Sequence, residues 1–156
     1  MNYYRMKENI GQSKVIDQLE KIFSACTLNF EQHATDFETV DIYMTATTVN
    51  GNEYYYCFEE KDREYKHDDF NSWFLEEDKF NELSDRSYYK GYKIFYVNTF
   101  TDNHITFWDL HRVKWHRVDT KYKYLPISTA EPEKGKKCKK IYCLPNDEAV
   151  WDKPFI

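Results

Sequence analysis

The stretch VDIYMTATTVNGNEYYYCFEEKDR, residues 40–63, decides the fold. Its side chains are β-branched or aromatic on both sides of Asn50-Gly51, and Asn-Gly between two such runs is the strongest short-range hairpin signal. The register follows from how the side chains segregate. A two-residue loop at Asn50 and Gly51 would set Ile42 across from Glu59 and Met44 across from Cys57, mixing apolar and charged groups on both faces. A three-residue loop, Val49 to Gly51 with Gly51 as the left-handed residue, pairs Ile42 with Phe58, Met44 with Tyr56 and Ala46 with Tyr54. One face is then wholly apolar. Because a one-residue slip flips every side chain, the second register is the expected one. The opposite face then carries Asp41 directly across from Glu59, with Lys61 one position along.

Two carboxylates about 4.5–5.5 Å apart at Cβ repel each other unless something neutralises them. A divalent cation does so: Mg²⁺ takes oxygen ligands at about 2.1 Å, usually one or two carboxylates plus waters and substrate phosphate oxygens. An ammonium beside such a site can orient or help deprotonate the attacking water and stabilise charge growing on phosphate. Asp41, Glu59 and Lys61 are therefore the parts of a metal-dependent phosphodiesterase. The other reading of the same three side chains is a solvated, salt-bridged sheet face. The tripeptide Asp/Glu-x-Lys discriminates nothing by itself, since it recurs at Glu64-Lys66, Glu77-Lys79 and Asp119-Lys121. Only Glu59-Lys61 closes an apolar strand paired with one that begins in aspartate, whereas Glu77 and Lys79 fall in a helical pattern.

This arrangement resembles the PD-(D/E)XK nuclease superfamily, whose pattern is an aspartate, a hairpin, then Asp or Glu, any residue, and Lys. The matching residues are Asp41, Glu59 and Lys61; the resemblance covers residues 13–110, and Val40 stands where the family name has proline. Lys61-Asp62-Arg63 and the segment WFLEEDKFNEL, residues 73–83, are similar to the Lys-x-Arg and post-motif helix of Holliday-junction-resolvase-like members. The resemblance implies an α/β fold with a mixed central β-sheet flanked by helices, a restriction-endonuclease-like core. It also implies Mg²⁺ (or Mn²⁺) held by Asp41 and Glu59, hydrolysis of DNA, and Arg63 at the nucleic acid, and it is compatible with a homodimer. The opposing reading is a non-catalytic nucleic-acid-binding or protein-interaction module on the same fold.

Ser13 can cap a helix whose apolar residues Val15, Ile16, Leu19, Ile22 and Phe23 form one stripe, ending near Ala25. Glu20 lies about 100° from the centre of that stripe, at the edge of the buried face. The resemblance implies an acidic residue from the first helix in the metal site, which makes Glu20 the fourth candidate; an ordinary solvated helix-edge glutamate is the equal alternative. Asp36 is the runner-up for the role of Asp41, set back by its distance from the apolar strand.

Beyond Arg63, EYKHDD reads as a polar loop, residues 76–88 as a helix with Phe80 and Leu83 inward, and Gly91 as its end. Residues 92–99, YKIFYVNT, are apolar on both faces and read as a central strand, with a turn at 101–103 leading into a last strand over 104–110.

Residues 111–140 differ in composition, with ten Lys or Arg against Asp119, Glu131 and Glu133. That is a net of +7, leaving −12 on the rest of a chain whose total is −5. Phosphate neutralisation supplies most sequence-independent nucleic-acid affinity, so Lys136, Lys137, Lys139 and Lys140 are candidate DNA contacts, with Trp115, Tyr122 and Tyr124 able to stack on unpaired bases. A lysine-rich solvated loop is the plainer alternative. Residues 140–145 read as a short closing strand.

A length of 156 residues, 41% of them hydrophobic, fits one domain over residues 1–156, with a core over about 13–110 and a basic C-terminal extension over about 111–145. No apolar run approaches the roughly 18 residues a membrane span needs, so no membrane and a cytoplasmic setting are expected. Cys26, Cys57, Cys138 and Cys143 follow no metal-binding spacing and are expected as free thiols.

Overall fold

The computed structural model describes residues 3–32, 40–128 and 131–156. Asp36 lies outside the described residues. A first helix, α1 (Tyr3–Ile22), leads into β1 (Thr27–Gln32), β2 (Ile42–Thr47) and β3 (Glu53–Asp62). Next come β4 (Ser72–Glu76), α2 (Glu77–Lys90), β5 (Lys93–Thr99) and β6 (His104–Asp109). The chain closes with β7 (Asp119–Pro126), β8 (Lys136–Pro145) and β9 (Trp151–Pro154).

The β2–β3 hairpin has the expected register: Ile42 faces Phe58, Met44 faces Tyr56 and Ala46 faces Tyr54. Gly51 takes φ +84°, and its N–H closes on the Thr48 carbonyl at 2.9 Å. That left-handed residue costs an L side chain energy and glycine nothing, so Gly51 closes the three-residue loop without strain.

The main sheet runs β1-β2-β3-β5-β6-β9. Only β3 and β5 run parallel, because β4 and α2 supply the crossover a parallel pair requires; the other pairs are antiparallel. This is the expected mixed sheet with a helix on each face. On one face Val15 and Leu19 of α1 pack on Ile42, Met44, Phe58, Val97 and Ile105. On the other, Leu83 of α2 packs with Cys57, Ile94, Tyr96 and Trp108. The central strand β5 is buried on both faces from Tyr96 to Thr99, as its unbroken apolar run predicts.

Three expectations are corrected. The first helix starts at Tyr3 and not at Ser13, since nothing in residues 3–12 turns the chain and Ser13 lies exposed within the helix. Residues 73–76, expected to begin the post-motif helix, belong to β4: Trp73 and Leu75 alternate inward and pair with Leu144 and Tyr142. The basic segment is also not a loop. β7 and β8 form an antiparallel ribbon that joins β4 in a second sheet of order β4-β8-β7, and β9 returns to pair with β6. α2 starts on Glu77 and Asp78, which suit the positive end of a helix, and stops at Gly91 (φ +72°), whose N–H bonds the Ser87 carbonyl.

Candidate active site

The β2–β3 ladder begins at Ile42 and Phe58, and Asp41 stands one residue outside it in a bend. There its side chain takes over the work of the ladder. Asp41 Oδ2 accepts the Glu60 N–H at 2.8 Å, and Gln12 Nε2 of α1 donates to Oδ1 at 3.4 Å. Asp41 is thus fixed between the helix and the strand, at the level of Glu59 that the register requires.

Glu59 and Lys61 share the face of β3 that looks toward α2. Glu59 is buried, and burial, then the charge of Asp41, push its carboxyl well above the usual carboxylate range; Lys79 and Lys61 act in the opposite sense. Lys79, on α2, holds its ammonium 3.7 Å from Glu59 Oε1, and Glu59 in turn raises Lys79. Lys61 is half-buried on the same face, and its charge bears on both Glu59 and Glu60.

Glu60 points to the α1 face and is 7% exposed. Burial, then Asp41 and Asp62, raise it to about 8. The Thr99 hydroxyl lies 3.2 Å from Glu60 Oε1 and 2.9 Å from Asp62 Oδ1. One hydroxyl proton cannot serve both carboxylates; a protonated Glu60 donating to Thr99, which donates to Asp62, satisfies all three. Gly11 of α1 sits directly on this carboxyl, so that a Cβ there would lie 2.7 Å from both Glu60 oxygens. The glycine is what allows the helix to approach.

Asp41, Glu59 and Lys61 are brought together at the end of the hairpin, and Glu20 is not. Glu20 is exposed on α1, eight residues beyond Gln12 and so about 12 Å further along the helix axis than the residue that reaches Asp41. Arg63, expected at the nucleic acid, is 8% exposed, and its guanidinium donates to the Phe74 carbonyl at 2.8 Å and to the Tyr96 hydroxyl at 2.7 Å. Of the four candidate lysines, three are answered by the start of α2 and the residue before it. Lys139 meets Glu76 at 3.1 Å, Lys140 meets Glu77 at 2.9 Å and Lys137 lies 4.0 Å from Asp78. Lys136 has no ion pair among the described residues. Trp115 is engaged with Phe80 and Tyr142 and is not free to stack on a base.

Sequence reasoning missed Gln12, Glu60 and Lys79. Gln12 carries the α1 stripe one turn back, at three and seven residues before Val15 and Leu19, which is the signal that could have found it. Lys79 belongs to the Glu77-x-Lys79 tripeptide set aside as helical; it is helical, and the helix delivers it to Glu59. Glu60 was hidden as the variable residue of the motif.

Among the described residues, His67, Asp68 and Asp102 also bring ligating atoms within 4.8 Å of one another, at the loop after β3 and the β5–β6 turn. His67 Nδ1 is 2.6 Å from Asp102 Oδ2, and its ring stacks on His104 at 3.7 Å. All four cysteines are free, and burial pushes the Cys57 thiol up to about 12, which leaves it unreactive.

Comparison with solved structures finds the Holliday junction resolvase Hjc of Archaeoglobus fulgidus, an archaeal hyperthermophile, with a TM-score of 0.50. The match spans 90% of this chain and 95% of that one at 14% identity. The two chains share an α/β fold. At that coverage the likeness extends well beyond the segment around the motif. No family model matches the sequence, and no curated protein matches it. The likeness to Hjc is therefore one of fold. No described helix is long and apolar enough to cross a membrane.

Proposed function

We propose that this chain is a nuclease that hydrolyses phosphodiester bonds in DNA with Mg²⁺ or Mn²⁺, through Asp41, Glu59 and Lys61. One observation carries the reading: the hairpin register brings a fixed Asp41 beside a buried Glu59, whose carboxyl burial and then Asp41 push up, with Lys61 next along the same strand face. Two such carboxylates suit a hard divalent cation, because its charge offsets the burial and the repulsion that push Glu59 above the usual carboxylate range. Bound there, the ion would supply Lewis-acid stabilisation of charge on phosphate.

The chain's own residues do the rest. Gln12 and the Glu60 N–H hold Asp41 with its oxygens oriented. Lys61, as an ammonium, would orient the attacking water and stabilise charge on a non-bridging phosphate oxygen. The buried Glu60 stays neutral near pH 7 and so adds no repulsion to an incoming phosphate. Hjc acts on Holliday junctions by its name, and DNA is proposed as the substrate here by that likeness.

The second reading, a non-catalytic binding module, is favoured by the Lys79–Glu59 contact, which already answers one carboxylate without any metal. Calorimetric titration with Mn²⁺ separates the two: binding that disappears in Asp41→Ala supports the nuclease. Absence of binding even with DNA present supports the module. Lys61→Ala should abolish cleavage of linear, circular and branched DNA while leaving metal and DNA binding intact, and Glu59→Ala should lose both metal and cleavage. Wild-type cleavage by Lys61→Ala, in a preparation free of host nucleases, would overturn the site.

A further inference from the structure

The Tyr122–Tyr124 end of the β7–β8 ribbon has no part in the site above. Side chains alternate along β7, so Tyr122 and Tyr124 share one face, opposite Lys140 and Cys138, with Lys136 opposite Pro126 at the end of the same row. Both tyrosines are 70% exposed. Tyr142, in the same ribbon, is packed against Phe80 and Trp115 and donates to Glu77. β7 is also the last strand of its sheet, with one edge unpaired among the described residues. Two adjacent rings left in water at a sheet edge do nothing for the core and are costly to keep exposed.

The charge distribution indicates what would cover them. Residues 111–140 carry +7 and the rest of the chain −12, so a polyanion is drawn to this ribbon and repelled elsewhere. Lys137, Lys139 and Lys140 are engaged with acidic residues at the start of α2, but Lys136, in the same row as the tyrosines, is exposed and has no ion pair among the described residues. Aromatic rings interleaved with lysines suit an unpaired strand, whose bases offer π-faces to the rings and whose phosphates take the cations. A duplex buries its base faces and offers the tyrosines nothing.

We propose that the Tyr122–Tyr124 face of the ribbon is a stacking platform for an unpaired nucleic-acid strand, so that the substrate carries a single-stranded arm or tail. The link to cleavage rests on the nuclease reading. The ribbon is pinned to the start of α2 through Glu76–Lys139 and Glu77–Lys140, and within one turn the same helix presents Lys79 to Glu59. Platform and site are thus carried by one rigid element.

The test is fluorescence anisotropy with labelled oligo(dT) and with a blunt duplex of equal length, in EDTA so that nothing is cut. Oligo(dT) should bind more tightly than the duplex. Tyr122→Thr and Tyr124→Thr, which preserve the strand, should each weaken oligo(dT) binding at least about fivefold, the lower end of what base stacking contributes, and leave duplex binding unchanged. Tyr→Phe at both positions should restore it. Lys136→Gln should flatten the salt dependence by roughly 0.7 log units if it neutralises one phosphate of the bound strand. Unchanged oligo(dT) affinity in the Thr variants, or Phe variants as weak as Thr, overturns the platform; so does a shift from dimer to monomer in the Thr variants, which would make the face a self-association edge. Because binding is read without metal, stacking with no cleavage would sink the nuclease reading alone, and cleavage with no stacking would sink the platform alone.

Discussion

Gly11→Ala tests the seating of α1 on the site. In an ordinary helix interior the change stabilises by about 0.8–1 kcal/mol, because alanine restricts the unfolded chain. Here the new Cβ would lie 2.7 Å from both Glu60 carboxyl oxygens and 2.8 Å from Cδ, whereas ordinary contact begins at 3.4 Å. The carboxyl must retreat by about 0.7 Å. It is buried, and a move of that size stretches its 3.2 Å contact with Thr99 beyond hydrogen-bonding distance. Overpacking costs about 1–3 kcal/mol and the broken hydrogen bond about 0.5–1.5, so the net effect should be a destabilisation of about 1–3 kcal/mol. Glu60→Ala removes the obstacle, and in that background Gly11→Ala should stabilise by about 1 kcal/mol. The sign therefore reverses between backgrounds. Urea unfolding of the four proteins at about pH 6, where Glu60 is protonated, completes the cycle. If Gly11→Ala stabilises equally in both backgrounds, α1 does not rest on Glu60 and the account of how the helix meets the site is wrong.

The raised Glu60 pKa fixes a pH dependence. With the folded value near 8 and the unfolded value at 4.5, the folded state holds more protons between them, so metal-free stability should fall as pH rises through that window and level off above it. The loss from Glu60 is roughly 4–5 kcal/mol at most, and Glu60→Gln should make the thermal-unfolding profile shallower, leaving the part due to Glu59; a flat wild-type profile would mean that Glu60 is not buried. Lys79→Gln should move the pH midpoint of Mn²⁺ binding upward, because the ammonium that favours ionised Glu59 is gone, and an unmoved midpoint would separate Lys79 from the site. Arg63→Leu should cost about 1–3 kcal/mol in chemical denaturation through its bonds to Phe74 and Tyr96, with the salt dependence of DNA binding unchanged. A flattened salt dependence would return Arg63 to the DNA surface.

Local rules were enough for the hairpin and for the face on which Asp41, Glu59 and Lys61 meet, because side-chain alternation and one left-handed glycine leave a single register that keeps a face apolar. The same rules foretold the end of α2 at Gly91 and the buried central strand β5, both written in neighbouring residues. What the sequence left open depends on partners far along the chain. β4 reads as the start of a helix until β8, some seventy residues later, pairs with it, and β7 reads as a charged loop until β8 lies beside it. The lysines of β8 look like a phosphate-binding cluster in the bare sequence, yet tertiary packing sets three of them against Glu76, Glu77 and Asp78, because a helix start rich in carboxylates is a better counter-ion than solvent. Gln12 and Lys79 enter the site for the same reason. A helix stripe determines which side chains face the sheet, but only the docking of α1 and α2 on opposite faces determines which of them arrive at Asp41 and Glu59.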